Sequence, residues 1–98
     1  MTVADRIRQK LEAALNPERL TVFNDSHLHA GHHQGAHAGE ETHFRLEIVA
    51  SGFQGQGKVA RQRQIYGILA EELAGPVHAL QLQTLTPDEE AKLKAITE

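Results

Sequence analysis

Apolar residues recur along this chain at two different spacings, and the change between them outlines the elements. Val3, Ile7, Leu11, Ala14 and Leu15 fall at helical intervals. Thr2 and Asp5 resemble a capping box at the start of that helix, and Asn16-Pro17 ends it. Leu20 and Val22, with Thr21 and Phe23, predict a short strand. Asn24 to Glu41 has no apolar period and the composition of a loop. From Thr42 to Ser51, Phe44, Leu46 and Ile48 alternate with His43, Arg45 and Glu47, the clearest strand in the sequence.

Gly52-Phe53-Gln54-Gly55-Gln56-Gly57 then forms a glycine-rich turn. Lys58 to Ala74 predicts one long helix with Val59, Ile65, Tyr66, Leu69 and Leu73 as its apolar stripe, stopped by Gly75-Pro76. Val77 to Leu85 predicts a third strand. Thr86-Pro87-Asp88-Glu89 is a helix start, with Thr as N-cap and Glu three residues on; Leu93 and Ile96 lie on that last helix. The order α-β-β-α-β-α implies a two-layer α+β sandwich in a single domain, residues 1–98, carrying a loop at 25–41. In the third strand His78 is in phase with Leu80 and Leu82, which leans it toward an apolar face. On pattern alone that favours a structural histidine over a ligand.

Composition sharpens the chemistry by exclusion. There is no Cys and there are seven His, six of them between His27 and His43. Without Cys there is no disulfide, no thiol nucleophile, no Cys-based zinc finger and no all-Cys iron–sulfur site. No apolar run approaches the roughly 20 residues of a membrane span, and the N-terminus starts an amphipathic helix rather than a signal peptide. The expected location is the cytosol, with no membrane partner. The formal charge of −3 argues against general nucleic-acid binding, although protonating the seven His would reverse its sign.

The segment His27-Leu28-His29-Ala30-Gly31-His32-His33-Gln34-Gly35-Ala36-His37 offers many imidazoles, which suit Zn, Cu, Ni and Fe. Its spacing matches no motif that fixes a metal's geometry. The plain reading is a solvated loop that takes Zn, Ni or Cu adventitiously; the sharper one is a stand-alone metal or pH sensor. Asp25-Ser26-His27 cannot form a triad, since consecutive residues do not face one another. Ser51 has no evident base. Glu40-Glu41, Glu71-Glu72 and Glu89-Glu90 read as solvated positions. Nothing here predicts an enzyme.

The glycine turn sits between a strand and a helix, where phosphates bind elsewhere, but it is neither GxGxxG nor a Walker motif. Lys58, Arg61 and Arg63 crowd the first turns of the following helix, where positive charge opposes the helix dipole. Either they form a solvated basic face or they are retained for an anion, such as nucleic-acid phosphate or a carboxylate.

Taken together, several segments resemble the BolA family. They are the first helix, Asn24-Asp25-Ser26, Glu41-Thr42-His43-Phe44-Arg45, Gly52-Phe53-Gln54-Gly55, Arg61-Gln62-Arg63 with Ile65-Tyr66, Leu69-Ala70-Glu71-Glu72-Leu73, Val77-His78-Ala79-Leu80 and Thr84-Leu85-Thr86-Pro87. The resemblance implies a class II KH-like fold, a three-stranded mixed sheet backed by helices. It also implies an adaptor that pairs with a monothiol glutaredoxin and shares a [2Fe–2S] cluster with it and with glutathione. That adaptor would serve iron–sulfur trafficking or iron and redox sensing, and alone it would be a monomer or weak homodimer. The family's C-terminal histidine falls on His78 and its loop ligand on His29, with His27, His32 and His33 as alternates in this longer, His-richer loop. The family's Arg-His-Arg reads Arg61-Gln62-Arg63 here.

A second implication is a DNA-binding regulator of stress response and cell morphology. Gly52, Phe53 and Gly55 would then lie at the nucleic-acid backbone, and Lys58, Arg61 and Arg63 at its phosphates. Phosphate contacts predict a steep salt dependence of affinity.

Overall fold

The computed structural model describes residues 2–26 and 41–97. Helix α1 spans Val3–Leu15, and its capping box forms: Asp5 N donates to Thr2 Oγ1 at 3.0 Å and Thr2 N to the Asp5 carboxylate at 3.2 Å. Asn16 closes the helix in the left-handed conformation at φ 45°. Strand β1 (Arg19–Asn24) runs antiparallel to β2 (His43–Val49). Strand β3 (Ala79–Leu85) lies parallel to β2, giving the sheet order β1-β2-β3. Between β2 and β3 come a short 3₁₀ turn (Ser51–Phe53) and helices α2 (Lys58–Ile68) and α3 (Ala70–Ala74); α4 (Pro87–Thr97) follows β3. This is the expected α+β architecture.

One face of the sheet is the core. Leu20 and Val22, Phe44, Leu46 and Ile48, and Leu80 and Leu82 pack there against Ile7 and Leu11 of α1, Ile65 of α2 and Leu69 just after it. Phe53, in the glycine turn, is completely buried against the same cluster. The opposite face carries Thr21 and Phe23, His43, Arg45 and Glu47, and Gln81 and Gln83 in register. The Arg45 guanidinium stacks over the Phe23 ring at 3.9 Å.

Two expectations for the long helix need correction. The segment 58–74 is two helices, broken at Leu69 (φ −100°, ψ 22°) just after Gly67, whose low helix propensity weakens that turn. The buried stripe is also different. Val59 is 62% exposed and Tyr66 is exposed, whereas Arg61, Ile65, Leu69 and Glu72 are buried. Those four positions lie at i, i+4, i+8 and i+11, so the inward face has helical spacing but charged residues at both ends. An apolar count could not see it.

The acidic pairs are corrected for the same reason. Glu72 is 2% exposed and meets Lys10 Nζ at 2.8 Å, joining α3 to α1. Burial alone would raise the Glu72 carboxyl, but the Lys10 hydrogen bond holds it below the usual carboxylate range. Glu90 bridges to Arg19, fastening α4 to the start of β1.

Candidate functional site

The site is a corner where β2 and β3 begin side by side. Strand β3 starts at Ala79, two residues later than the predicted start at Val77, so His78 precedes the strand and is exposed. That removes the reading of His78 as a core histidine. Its main chain is nonetheless fixed: His78 N and Ala79 N both donate to Thr42 O, at 2.8 and 3.2 Å.

The same residue, Thr42, anchors the His-rich segment. Thr42 N and His43 N donate to Ser26 Oγ at 2.8 and 3.1 Å, and Asp25 N donates to His43 O at 2.8 Å. Ser26 N in turn donates to Asn24 Oδ1 at 3.0 Å, an Asx turn that leads out of β1. Glu41 Oε1 accepts from Ala4 N at 3.1 Å and Asn24 Nδ2 at 3.3 Å. Residues 26 and 41, the two ends of the segment, are thus brought together, and both meet the chain beside His78. His27, His29, His32, His33 and His37 lie outside the described residues.

His43 adds an imidazole to this corner. Its Nδ1 is 2.7 Å from Thr42 Oγ1, and it pairs with Ala79 across the sheet. The alternation of β2 marked His43 as outward-facing, but sequence reasoning gave it no role; its neighbour Ala79 was the missing signal.

The donor chemistry decides what this corner can hold. Among the described residues no group of three or more His, Cys, Asp or Glu is arranged to hold a metal ion. The chain has no thiolate to contribute. The imidazoles of His78 and His43 at this corner are donors of the kind that suits Zn, Cu, Ni and Fe.

The second candidate surface, around the glycine turn, is largely spoken for by the fold. Arg61 is 4% exposed, and its guanidinium donates to Gln56 O at 2.8 Å, to Thr84 O at 3.0 Å and to the Glu89 carboxylate at 2.7 and 3.2 Å. Lys58 Nζ donates to Thr84 O at 2.6 Å. Glu89 also closes the capping box of α4, accepting from Thr86 N at 2.9 Å while Glu89 N donates to Thr86 Oγ1 at 3.1 Å. The Arg61 hydrogen bonds, then the Thr86 amide, pull the Glu89 carboxyl down to about 2.

The expectation of an exposed basic cluster is therefore corrected. The anion that Arg61 answers is the chain's own Glu89, and Lys58 and Arg61 together cap a strand-edge carbonyl. Phe53 is in the core and presents nothing to a nucleic acid. Gly52, Gly55 and Arg63 remain exposed. Gly55 has φ +81°, the one position in this turn that requires glycine.

A three-stranded mixed sheet with helices on its core face, and an exposed histidine where β2 and β3 begin, define a small α+β domain. A family model described as BolA-like protein matches residues 11–89, and the chain belongs to that family. UV-induced protein uvi31 of Schizosaccharomyces pombe is 47% identical over 88 residues, covering 87% of this chain and 86% of that one. The structure of BolA1 from Arabidopsis thaliana superposes with a TM-score of 0.83 at 41% identity, over 91% of this chain and 96% of the other. The BolA domain of SufE1 from the same plant gives 0.77 at 45% identity, over 88% and 93%. The chain spans 56% of the length of the mammalian BolA-like protein 1 relatives that it matches. Among the described residues no helix is long and apolar enough to cross a membrane, and some relatives are named as chloroplastic or mitochondrial.

Proposed function

We propose that this chain is an adaptor that shares a [2Fe–2S] cluster with a monothiol glutaredoxin and its glutathione, in iron–sulfur trafficking or sensing. His78 would supply one imidazole and the 27–37 segment the other, from His29 or its neighbours His27, His32 and His33. The observation that carries this reading is the hydrogen bonding through Thr42, which ties Ser26, the residue before the His-rich segment, to the chain at an exposed His78. Family membership, and the presence of a BolA domain in SufE1, support an iron–sulfur-related role.

With no Cys, the chain would depend on its partner for thiolates. Imidazole ligation on one iron tends to raise a cluster's reduction potential. A cluster exposed between two proteins is also easier to hand on than one enclosed in a core. Residues of this chain would then bind and orient, and perform no covalent step.

The test is a titration of holo-glutaredoxin with this protein, followed by visible circular dichroism. The spectrum should change with wild type and fail to do so with His78→Ala. An unchanged wild-type spectrum, with His78→Ala behaving identically, overturns the reading. The DNA-binding alternative loses Arg61 and Phe53, which are buried, and Lys58 Nζ is bonded to Thr84 O, while Gly52, Gly55 and Arg63 remain on the surface.

A further inference from the structure

Two walls of different chemistry meet along the β3 edge of the sheet. Ala79 N bonds to Thr42 O and Ala50 N to Leu85 O, so the odd-numbered residues of β3 turn their peptide groups toward β2. Leu80, Leu82 and Thr84 therefore turn theirs outward. Thr84 O is taken by Lys58 Nζ and the Arg61 guanidinium. The N–H groups of Leu80, Leu82 and Thr84, and the carbonyls of Leu80 and Leu82, have no partner among the described residues. Edge strands are usually guarded by charge, proline or a covering element. Pro17 and Arg19 guard the β1 edge, whereas β3, ALQLQTL, holds neither a charge nor a proline.

The second wall is α2, which runs back along this edge. Lys58 and Gln62, with Leu82, Gln83 and Thr84, line a groove of about 220 Å³. One turn on, Tyr66 Oη accepts from Gln62 Nε2 at 3.0 Å, so Lys58, Gln62 and Tyr66 form one row along the helix. The floor is apolar: Leu80 and Leu82 lie on the helix side of the sheet and are only half-buried.

Charge in this groove has one sign. There is no Asp or Glu from residue 48 to residue 70, nor from 77 to 87. Lys58 and Arg63 are both exposed. Lys58 Nζ gives one of its three protons to Thr84 O and keeps two. Glu89 of α4 is already committed to Arg61 and to the Thr86 amide.

We propose that the groove takes an extended segment of a partner protein as an added strand, with an Asp or Glu side chain set against Lys58. The outward groups of β3 recur every second residue, roughly 7 Å apart, which is the repeat of an extended peptide. They include donors and acceptors, so the occupant must return both. Nucleic-acid phosphates could accept from the N–H groups but have no donor at that repeat for Leu80 O and Leu82 O. The edge has one more donor than acceptor, and Lys58 and Arg63 add to that surplus, so the occupant carries carboxylate. Alternate residues of the added strand lie beside Leu80, Leu82 and Thr84. The register thus calls for two apolar side chains and then an acidic one, each two positions from the last.

The probe is the peptide Glu-Thr-Val-Thr-Val-Thr-Glu, blocked at both ends, which reads the same in either direction. On titration into the full chain, the amide resonances of Leu80, Leu82 and Thr84 should shift and their hydrogen exchange should slow. The same peptide with Lys for both Glu should bind about tenfold more weakly or worse. Gln62→Glu changes an exposed helix position, so it should unfold near the wild-type temperature. It should weaken the Glu peptide about tenfold and improve the Lys peptide. Equal affinity for the two peptides, or shifts confined to other residues, overturns the proposal. So does tighter binding of a single-stranded oligonucleotide at the same amides, which would assign the groove to nucleic acid. Protection that grows with protein concentration alone would assign it to a second copy and overturn the proposal too. His78→Ala should take up the Glu peptide as wild type does, so this outcome is separate from that of the cluster reading.

Discussion

The main-chain N–H of His78 donates to the carbonyl of Thr42 at 2.8 Å, and Thr42 in turn donates its own N–H to Ser26 Oγ. Thr42, the residue just before β2, thus holds the exposed histidine on one side and Ser26, ahead of the His-rich segment, on the other. Ser26→Ala would leave the Thr42 and His43 amides without their acceptor in a part-buried corner. The expected cost is about 1–3 kcal/mol, read as a fall in the thermal midpoint of roughly 4–8 °C per kcal/mol for a domain of this size. Ser26→Thr keeps the oxygen and should recover most of the loss. Equal midpoints for wild type and Ser26→Ala would show that this hydroxyl does not hold the corner together.

His78 itself should behave in the opposite way. It is exposed, and its main-chain hydrogen bond to Thr42 O is one that alanine retains. His78→Ala should therefore change stability by no more than about 0.5 kcal/mol. Its effect should fall on the glutaredoxin complex. Urea denaturation beside the circular-dichroism titration separates the two. A variant that unfolds much more easily would mean that His78 is structural.

The link between α4 and the rest of the fold should be acid-labile. Glu89 is held at about 2 in the folded chain against an ordinary 4.5, because Arg61 and the Thr86 amide favour its charged form. A depressed carboxyl stabilises the fold fully above its unfolded value. The contribution is lost as pH falls from about 4.5 toward 2. Glu72, Glu90 and Asp5 are lowered in the same direction, so acid weakens several ties together. Glu89→Gln should be less stable than wild type at neutral pH and should flatten the stability–pH curve in that window. A variant curve parallel to wild type down to pH 2 would dissociate Glu89 from the acid response.

Much of this was legible in the sequence, and the failures share one physical cause. Capping boxes at Thr2 and Thr86 and the alternation around Phe44, Leu46 and Ile48 place elements directly, because local hydrogen bonds and a period of two determine them. Arg61, Glu72 and Glu89 were misread because hydropathy treats charge as surface. Arg61 and Glu72 are instead buried against partners distant in sequence, Arg61 against Glu89 and Glu72 against Lys10, while Glu89 is only part-buried. Val59 was misread for the converse reason, since an apolar residue in phase with nothing buried simply stays outside. The exposure of His78 was hidden in a two-residue delay of β3, whose start is held by the Thr42 carbonyl.

The glycine turn gives a last, comparative prediction. Gly55 has φ +81°, while Gly52 is not in the left-handed region, and a Cβ at either would meet nothing within 4 Å. Space is therefore not what separates them; backbone conformation is. Gly55→Ala should cost about 1–2 kcal/mol through the left-handed strain alone. Gly52→Ala should be neutral, or stabilising by up to about 1 kcal/mol, because alanine restricts the unfolded chain. If the turn also approached a phosphate backbone, Gly52→Ala would weaken DNA binding, in a salt-dependent assay, without lowering stability. With Arg61 and Phe53 committed to the fold, the expected result is two variants that differ in thermal midpoint and match in any residual DNA affinity.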